Sequence, residues 1–218
     1  MNQNLTEMVF IIDRSGSMSH LQSETISGFN SMIEKQKKEP GEAFVTTILF
    51  DSQYELLHNH VNIQDVKPIT DREYYARGMT ALLDAVGRTI NSVGERLSKT
   101  PEEERPGHVI FVITTDGYEN ASHEFTKAKI KEMIEHQQDK YSWTFMFLGA
   151  NIDAISEAAS LGINTDFAKK YTASSIGTDT LYSAMANTVS CMRSVDFNVK
   201  SINSTAYKAA TTALDDVQ

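Results

Sequence analysis

The feature that most constrains this chain occurs twice: an unbroken apolar run that stops abruptly near an acid. Val9 to Ile12 ends in Asp13 and a Ser/Gly cluster, and Val109 to Thr114 ends in Thr115 and Asp116. A run without polar alternation suits a strand buried on both faces, as in a parallel sheet covered by helices. The acid then falls at the carboxyl end of the strand, where open α/β sheets bind their ligands.

The remaining segments fit that scheme. From about His20 to Lys37, Ile26, Phe29, Met32 and Ile33 share one helical face, and the pattern stops before Pro40. Phe44 to Phe50 predicts a second strand. After Asp51-Ser52-Gln53, Tyr54 to Val61 predicts a third, joined by a turn short enough for an antiparallel hairpin and alternating weakly, as an edge strand does. Ala81 to Leu97 is the clearest helix, with Leu82, Val86, Ile90, Val93 and Leu97 on one stripe. Further helices are predicted over Phe125 to Gln137, Asp153 to Leu161 and Thr178 to Val195, and strands over Trp143 to Leu148 and Phe167 to Tyr171. Strands alternating with helices, joined by right-handed crossovers, give a doubly wound, mostly parallel α/β sheet with helices on both faces. The expected organisation is one domain over residues 1–195 and a polar C-terminal extension, 196–218, with a weak helix at its end.

Charge narrows the partners. The chain has 218 residues, a formal net charge of -9 and a sequence pI near 5.1, so its average field repels phosphate backbones and anionic membrane surfaces. The basic clusters, Lys35, Lys37 and Lys38 or Lys127, Lys129 and Lys131, are short and mixed with Glu. Neither nucleic acid nor membrane is the expected partner. Cys191 is the single cysteine, which points to a reducing, cytoplasmic setting. The N-terminus has no basic region, and the apolar run Met8 to Ile12 is too short for a signal core or a membrane span.

Three loops at predicted strand or helix ends carry chemistry: Asp13-Arg14-Ser15-Gly16-Ser17-Met18, Gly78-Met79-Thr80 and Thr115-Asp116-Gly117. They offer the carboxylates of Asp13 and Asp116 and the hydroxyls of Ser15, Ser17 and Thr80. All are hard oxygen donors, with no His or Cys to favour zinc or copper, so Mg²⁺ or Mn²⁺ is the natural cation and Ca²⁺ is also accommodated. Alternate positions 13, 15 and 17 can turn toward one point while Gly16 lets the backbone bend. Two negative charges match one dication, and the neutral hydroxyls leave it electrophilic toward an anionic ligand from outside.

Asp13-x-Ser15-x-Ser17, Thr80 and Asp116, in this order and each at a strand or helix end, resemble the metal-ion-dependent adhesion site of von Willebrand factor A and integrin inserted domains. The resemblance spans about residues 6–190, and the five-residue combination is far more specific than any part of it. It implies a six-stranded, mostly parallel sheet with one antiparallel edge strand, of the Rossmann-like von Willebrand factor A fold. It further implies a magnesium ion whose coordination is completed by a partner protein's Asp or Glu. Asp13 and Asp116 would hold the ion directly or through water, Ser15 and Ser17 would be direct ligands, and Thr80 would join when the site closes around a ligand. Gly16, Gly78 and Gly117 would shape the loops. Arg14 is expected to point outward toward a partner, with Tyr118, Glu119 and Asn120 near the docking surface. Intracellular members of the family work in larger assemblies, some beside ATPases of the AAA+ class.

Plainer readings exist for each part. The first loop alone could be a turn and helix cap, Thr80 an N-cap for the Leu82 helix, Asp84 a first-turn acid paired with the helix dipole, His20 an exposed first-turn residue, and residues 118–120 solvated loop. Met79 and Met185 read as packing. The competing function is a Mg²⁺-dependent phosphoryl-transfer hydrolase using Asp13, because aspartate-nucleophile phosphatases also begin with an apolar strand ending in Asp. Those enzymes place a second Asp two residues on as general acid, and here that position is Ser15, which cannot protonate a leaving group at neutral pH. No serine-hydrolase elbow or phosphate-binding glycine loop is present, so a binding module, not an enzyme, is expected.

Overall fold

The structure, a computed structural model, describes residues 1–215. Six strands, β1 (Asn2–Asp13), β2 (Glu42–Phe50), β3 (Tyr54–Asn62), β4 (Pro106–Thr115), β5 (Thr144–Ala150) and β6 (Ala168–Tyr171), form one sheet in the order β3-β2-β1-β4-β5-β6. Every neighbouring pair is parallel except β2 and β3, so the antiparallel strand lies at an edge. The helices are α1 (Gln22–Gln36), α2 (Leu82–Lys99), α3 (Lys127–Tyr141), α4 (Ala154–Ser160), α5 (Ser175–Met192) and α6 (Thr205–Asp215).

The alternation of side chains along a strand divides the core in two. Met8, Phe10 and Ile12 of β1 face α1, α5 and α6, where Phe29, Met32, Leu181, Val189 and Tyr207 bury. Val9 and Ile11 face the other way, toward Leu82, Val86, Ile90 and Val93 of α2 and Ile130 and Ile134 of α3. Both faces are covered, which is why β1 and β4 are apolar at successive positions. Among the described residues no helix is long and apolar enough to cross a membrane.

β1 and β4 are longer than their apolar runs. β1 starts at Asn2, and its pairing with β4 shifts register between Asn2 and Thr6, so its polar first half is held by backbone bonding. Glu7, on β1, is 1% exposed and meets Arg96 of α2, Thr46 of β2 and His60 of β3. That polar cluster ties β2, the edge strand β3 and the covering helix to the middle of the sheet.

The described part of the C-terminal extension, 196–215, is packed against the rest, and residues 216–218 of the expected extension lie outside the described residues. Phe197, Tyr207, Ala210 and Leu214 are buried in the same core as α1 and α5, the Tyr207 hydroxyl bonds Asp166 and Asn164, and Lys169 of β6 pairs with Asp215.

Candidate metal centre

Because β2, β1 and β4 are adjacent and parallel, their carboxyl ends bring three acids side by side: Asp51 just after β2, Asp13 at the end of β1 and Asp116 just after β4. All are nearly fully buried. Asp51 is neutralised by arginines. Asp13 and Asp116 are not, and the hydroxyls gather around them.

Ser15 folds back on β1, its N–H donating to Asp13 Oδ1 at 2.7 Å. Its Oγ lies 3.0 Å from Ser17 Oγ, which donates to Asp116 Oδ1 at 2.5 Å. Thr115 Oγ1 donates to Asp13 Oδ2 at 2.7 Å and accepts the Gly117 N–H. Asp116 Oδ2 is buried without a hydrogen-bond partner. The four side chains of Asp13, Ser15, Ser17 and Asp116 are thus linked in sequence, with one carboxylate oxygen left unsatisfied.

The electrostatics fit a cation. Burial pushes the Asp13 carboxyl up to about 6; hydrogen bonds from Thr115 and Ser15 pull it down, and the charge of Asp116 adds to the rise. Two enclosed carboxylates without a counter-charge are unfavourable, and a dication would remove the penalty while taking up the spare Asp116 oxygen. The donor set is all oxygen, as a hard cation requires.

Thr80 is nearly buried, at 3% exposure. A Cβ added to Gly117 would lie 3.8 Å from Thr80 Oγ1, so the hydroxyl borders the Asp116 turn. Thr80 is not the cap of α2, since that position falls on Ala81. The first N–H groups of α2 are taken by residues of the loop after β4: Leu83 N–H by Glu119 Oε2 and Asp84 N–H by Ser122 Oγ. The segment carrying Thr80 is fixed by Gly78, which accepts the Gly16 N–H at 3.1 Å and has a φ of 67°. A Cβ on Gly16 would meet that carbonyl at 3.4 Å. Gly117 has ordinary φ, and a Cβ there would make only an ordinary contact, so the expected need for glycine is not evident in the backbone.

Arg14 corrects an expectation. It points inward and is 0% exposed, with Nε donating to Asp51 Oδ2 at 2.9 Å and Nη2 lying 2.8 Å from Glu55 Oε2. The hydrophobic surroundings force a buried guanidinium to find carboxylates, and Asp51 and Glu55 provide them. Glu119 is also turned inward: its carboxylate accepts from Leu83, Ala121 and Ser122 N–H and from the Ser122 hydroxyl. Asn120 is exposed, yet its Oδ1 takes the Thr80 N–H at 2.8 Å. Of the expected docking residues, Tyr118 and Asn120 are exposed, Tyr118 at 56%, and Met79 beside Thr80 is 54% exposed, where packing was expected. Asp84 accepts three N–H groups, from His123, Glu124 and Phe125, and so anchors the loop after β4. His20 is exposed, with Nδ1 2.8 Å from the Ser17 carbonyl.

Sequence reasoning missed Thr115, which orients Asp13; Tyr74, whose buried hydroxyl donates to the Asp13 carbonyl at 2.7 Å; and Asp51 with Arg77. Asp51 carried a usable signal, since Phe44 to Phe50 also ends in an acid. Tyr74 carried none, lying in a loop without periodicity.

No family model matches the chain, and no curated protein sequence is similar to it. Solved structures are. One is proximal thread matrix protein 1 from the mussel byssus with a zinc-occupied metal-ion-dependent adhesion site, at 16% identity and a TM-score of 0.57, covering 85% of this chain and 46% of that one. A von Willebrand factor type A protein from Catenulispora acidiphila matches at 14% identity and TM-score 0.56, covering 83% and 42%. The von Willebrand factor domain of the type V pili tip protein Mfa5 from Porphyromonas gingivalis matches at 11% identity and TM-score 0.57, covering 84% and 94%. The chain spans less than half the length of the first structures it matches. The class defined by this sheet is the von Willebrand factor A fold. In the mussel protein, the adhesion site on this fold holds a divalent metal.

Proposed function

We propose that this chain is a divalent-cation-dependent protein-binding module, in which Mg²⁺ at the carboxyl end of the sheet is completed by an Asp or Glu of a partner protein. The observation that carries the reading is the enclosed pair Asp13 and Asp116, linked through Ser15 and Ser17 and ending in an unpartnered Asp116 oxygen. Asp13, Ser15, Ser17 and Asp116 would hold the ion, and Thr80, which borders the Asp116 turn, would join them when a ligand is bound. The bound ion would supply an electrophilic point for an incoming carboxylate. Thr115 and the Ser15 N–H orient Asp13, and Tyr74 holds the strand end.

Binding fits the chemistry better than turnover. Ser15 occupies the position a phosphatase would give to a general acid, and the nearby His20 ring nitrogen faces a main-chain carbonyl. A cytoplasmic setting fits the lone Cys191, and an assembly with an AAA+ ATPase rests on the family resemblance alone.

Calorimetric titration of Mg²⁺ into EDTA-stripped protein tests the metal. Wild type is expected to give saturable heat and Asp13→Ala none; equal heats would overturn the site. Capture of partners in Mg²⁺ and in EDTA, by wild type and Thr80→Ala, tests the completing carboxylate. Equal capture in EDTA would place the interface elsewhere.

A further inference from the structure

Arg14 presents a puzzle: a fully buried cation sits between two proposed ligands of another cation, Asp13 and Ser15. On charge alone it opposes metal binding. Asp51 and Glu55 answer its charge, and Asp51 carries a second arginine as well: Arg77 Nε donates to the same Oδ2 at 2.8 Å. With two guanidinium groups and two carboxylates, the cluster is neutral beside a site that keeps its own two negative charges.

The cluster also joins two loops. Arg77 N–H donates to the Arg14 carbonyl at 2.8 Å, and Arg14 N–H donates to Phe50 at the end of β2. The two arginines are therefore tied through both main chain and Asp51. Each residue after Arg77 is then attached: Gly78 carbonyl to Gly16 N–H, Met79 N–H to Ser52 Oγ, Thr80 N–H to Asn120 Oδ1 and Ala81 N–H to the Asp51 carbonyl. Within this chain of attachments, the Arg77 side chain supplies the charge-assisted link. Its outer face is braced by the Tyr75 hydroxyl at 2.8 Å, with the guanidinium 5.0 Å from the ring centroid.

We infer that Arg77 is a positioning residue for the metal site, holding Gly78 and Thr80 against the Asp13 loop through Asp51 and Arg14. This rests on the metal-binding reading above. It predicts a sign that charge alone does not. Removing a positive charge near a cation site should strengthen metal binding by Coulomb's law, whereas loss of positioning should weaken it.

The test is Mg²⁺ affinity of wild type, Arg77→Ala and Arg77→Lys, with amide hydrogen exchange in EDTA. Arg77 is 38% exposed, so both variants should fold with melting temperatures near wild type. Arg77→Ala is expected to weaken Mg²⁺ binding about tenfold and to speed exchange at the Gly16 amide, with Arg77→Lys recovering part of each. Unchanged or tighter binding by Arg77→Ala beside a wild type that binds would overturn the inference while leaving the metal site intact. A wild type that binds no Mg²⁺ would overturn the metal-binding reading and the inference with it.

Discussion

Asp13 and Asp116 repel each other at the ends of adjacent strands, and Asp13 carries the cost because it is wholly enclosed. Its folded-state value of about 6 lies above the ordinary 3.8, so the folded protein holds this proton more tightly than the unfolded chain. That stability is fully present below the ordinary value and is lost as pH rises through 6, at most about 3 kcal/mol. In EDTA, Asp13→Asn should therefore be more stable than wild type at pH 7.5 and less favoured at pH 5, as read by urea denaturation. A pH-independent difference would refute that assignment. Arg14→Met makes a second prediction: it leaves Asp51 buried beside Arg77 alone and should cost about 3 kcal/mol, far more than a surface charge would. Neither effect was legible in the sequence, where Arg14 looks like one more polar residue in a Ser/Gly loop. Its burial depends on Asp51, which is 37 residues away in sequence and reaches Arg14 only through β1–β2 pairing.

At the scale of elements, the loop after β4 and the start of α2 form one unit. Glu119 and Ser122 take the free N–H groups of the helix, and Asp84 in its first turn takes three N–H groups of the loop in return. Burial pushes the Asp84 carboxyl upward, but those three backbone donors outweigh it and hold it below the usual range. This contribution is present above the ordinary carboxylate value and is lost as pH falls below it. Asp84→Ala should destabilise by about 2 kcal/mol and speed exchange at the amides of residues 123–125. Unaltered exchange there would show that the loop holds without its anchor. The helix itself was plain from the spacing of Leu82, Val86, Ile90, Val93 and Leu97, and the strands from apolar runs. The reciprocal capping was not, because a cap supplied from another loop leaves no local pattern. Thr80 shows the same limit: sequence offers it as the α2 cap, while the cap position is Ala81.

For the whole molecule, the expected sheet and its antiparallel edge strand are present, and the helices cover both faces. The parallel, doubly wound class could be argued from the alternation of strands and helices and from crossover rules, but the order of the strands was not read from the sequence. The place of α6 could not. Its Ser/Thr-rich surroundings read as a polar tail, but Phe197, Tyr207 and Leu214 are enough to dock it on the core. A chain ending at Val195 should lose roughly 4 kcal/mol or more of stability, given about 1.5–3 kcal/mol for each buried apolar side chain. Calorimetry giving an unchanged melting temperature would show that the core closes without it.

The central place of β1 has a consequence for biosynthesis. It leaves the ribosome well before its β4 neighbour, which begins at Pro106, and the second acid arrives only at Asp116. Until then one side of an apolar strand has no companion, and the proposed metal site lacks one of its two acids. Translation pauses before that point would lengthen the interval in which nascent chains can associate through β1, whereas a pause after it would allow the sheet to close first.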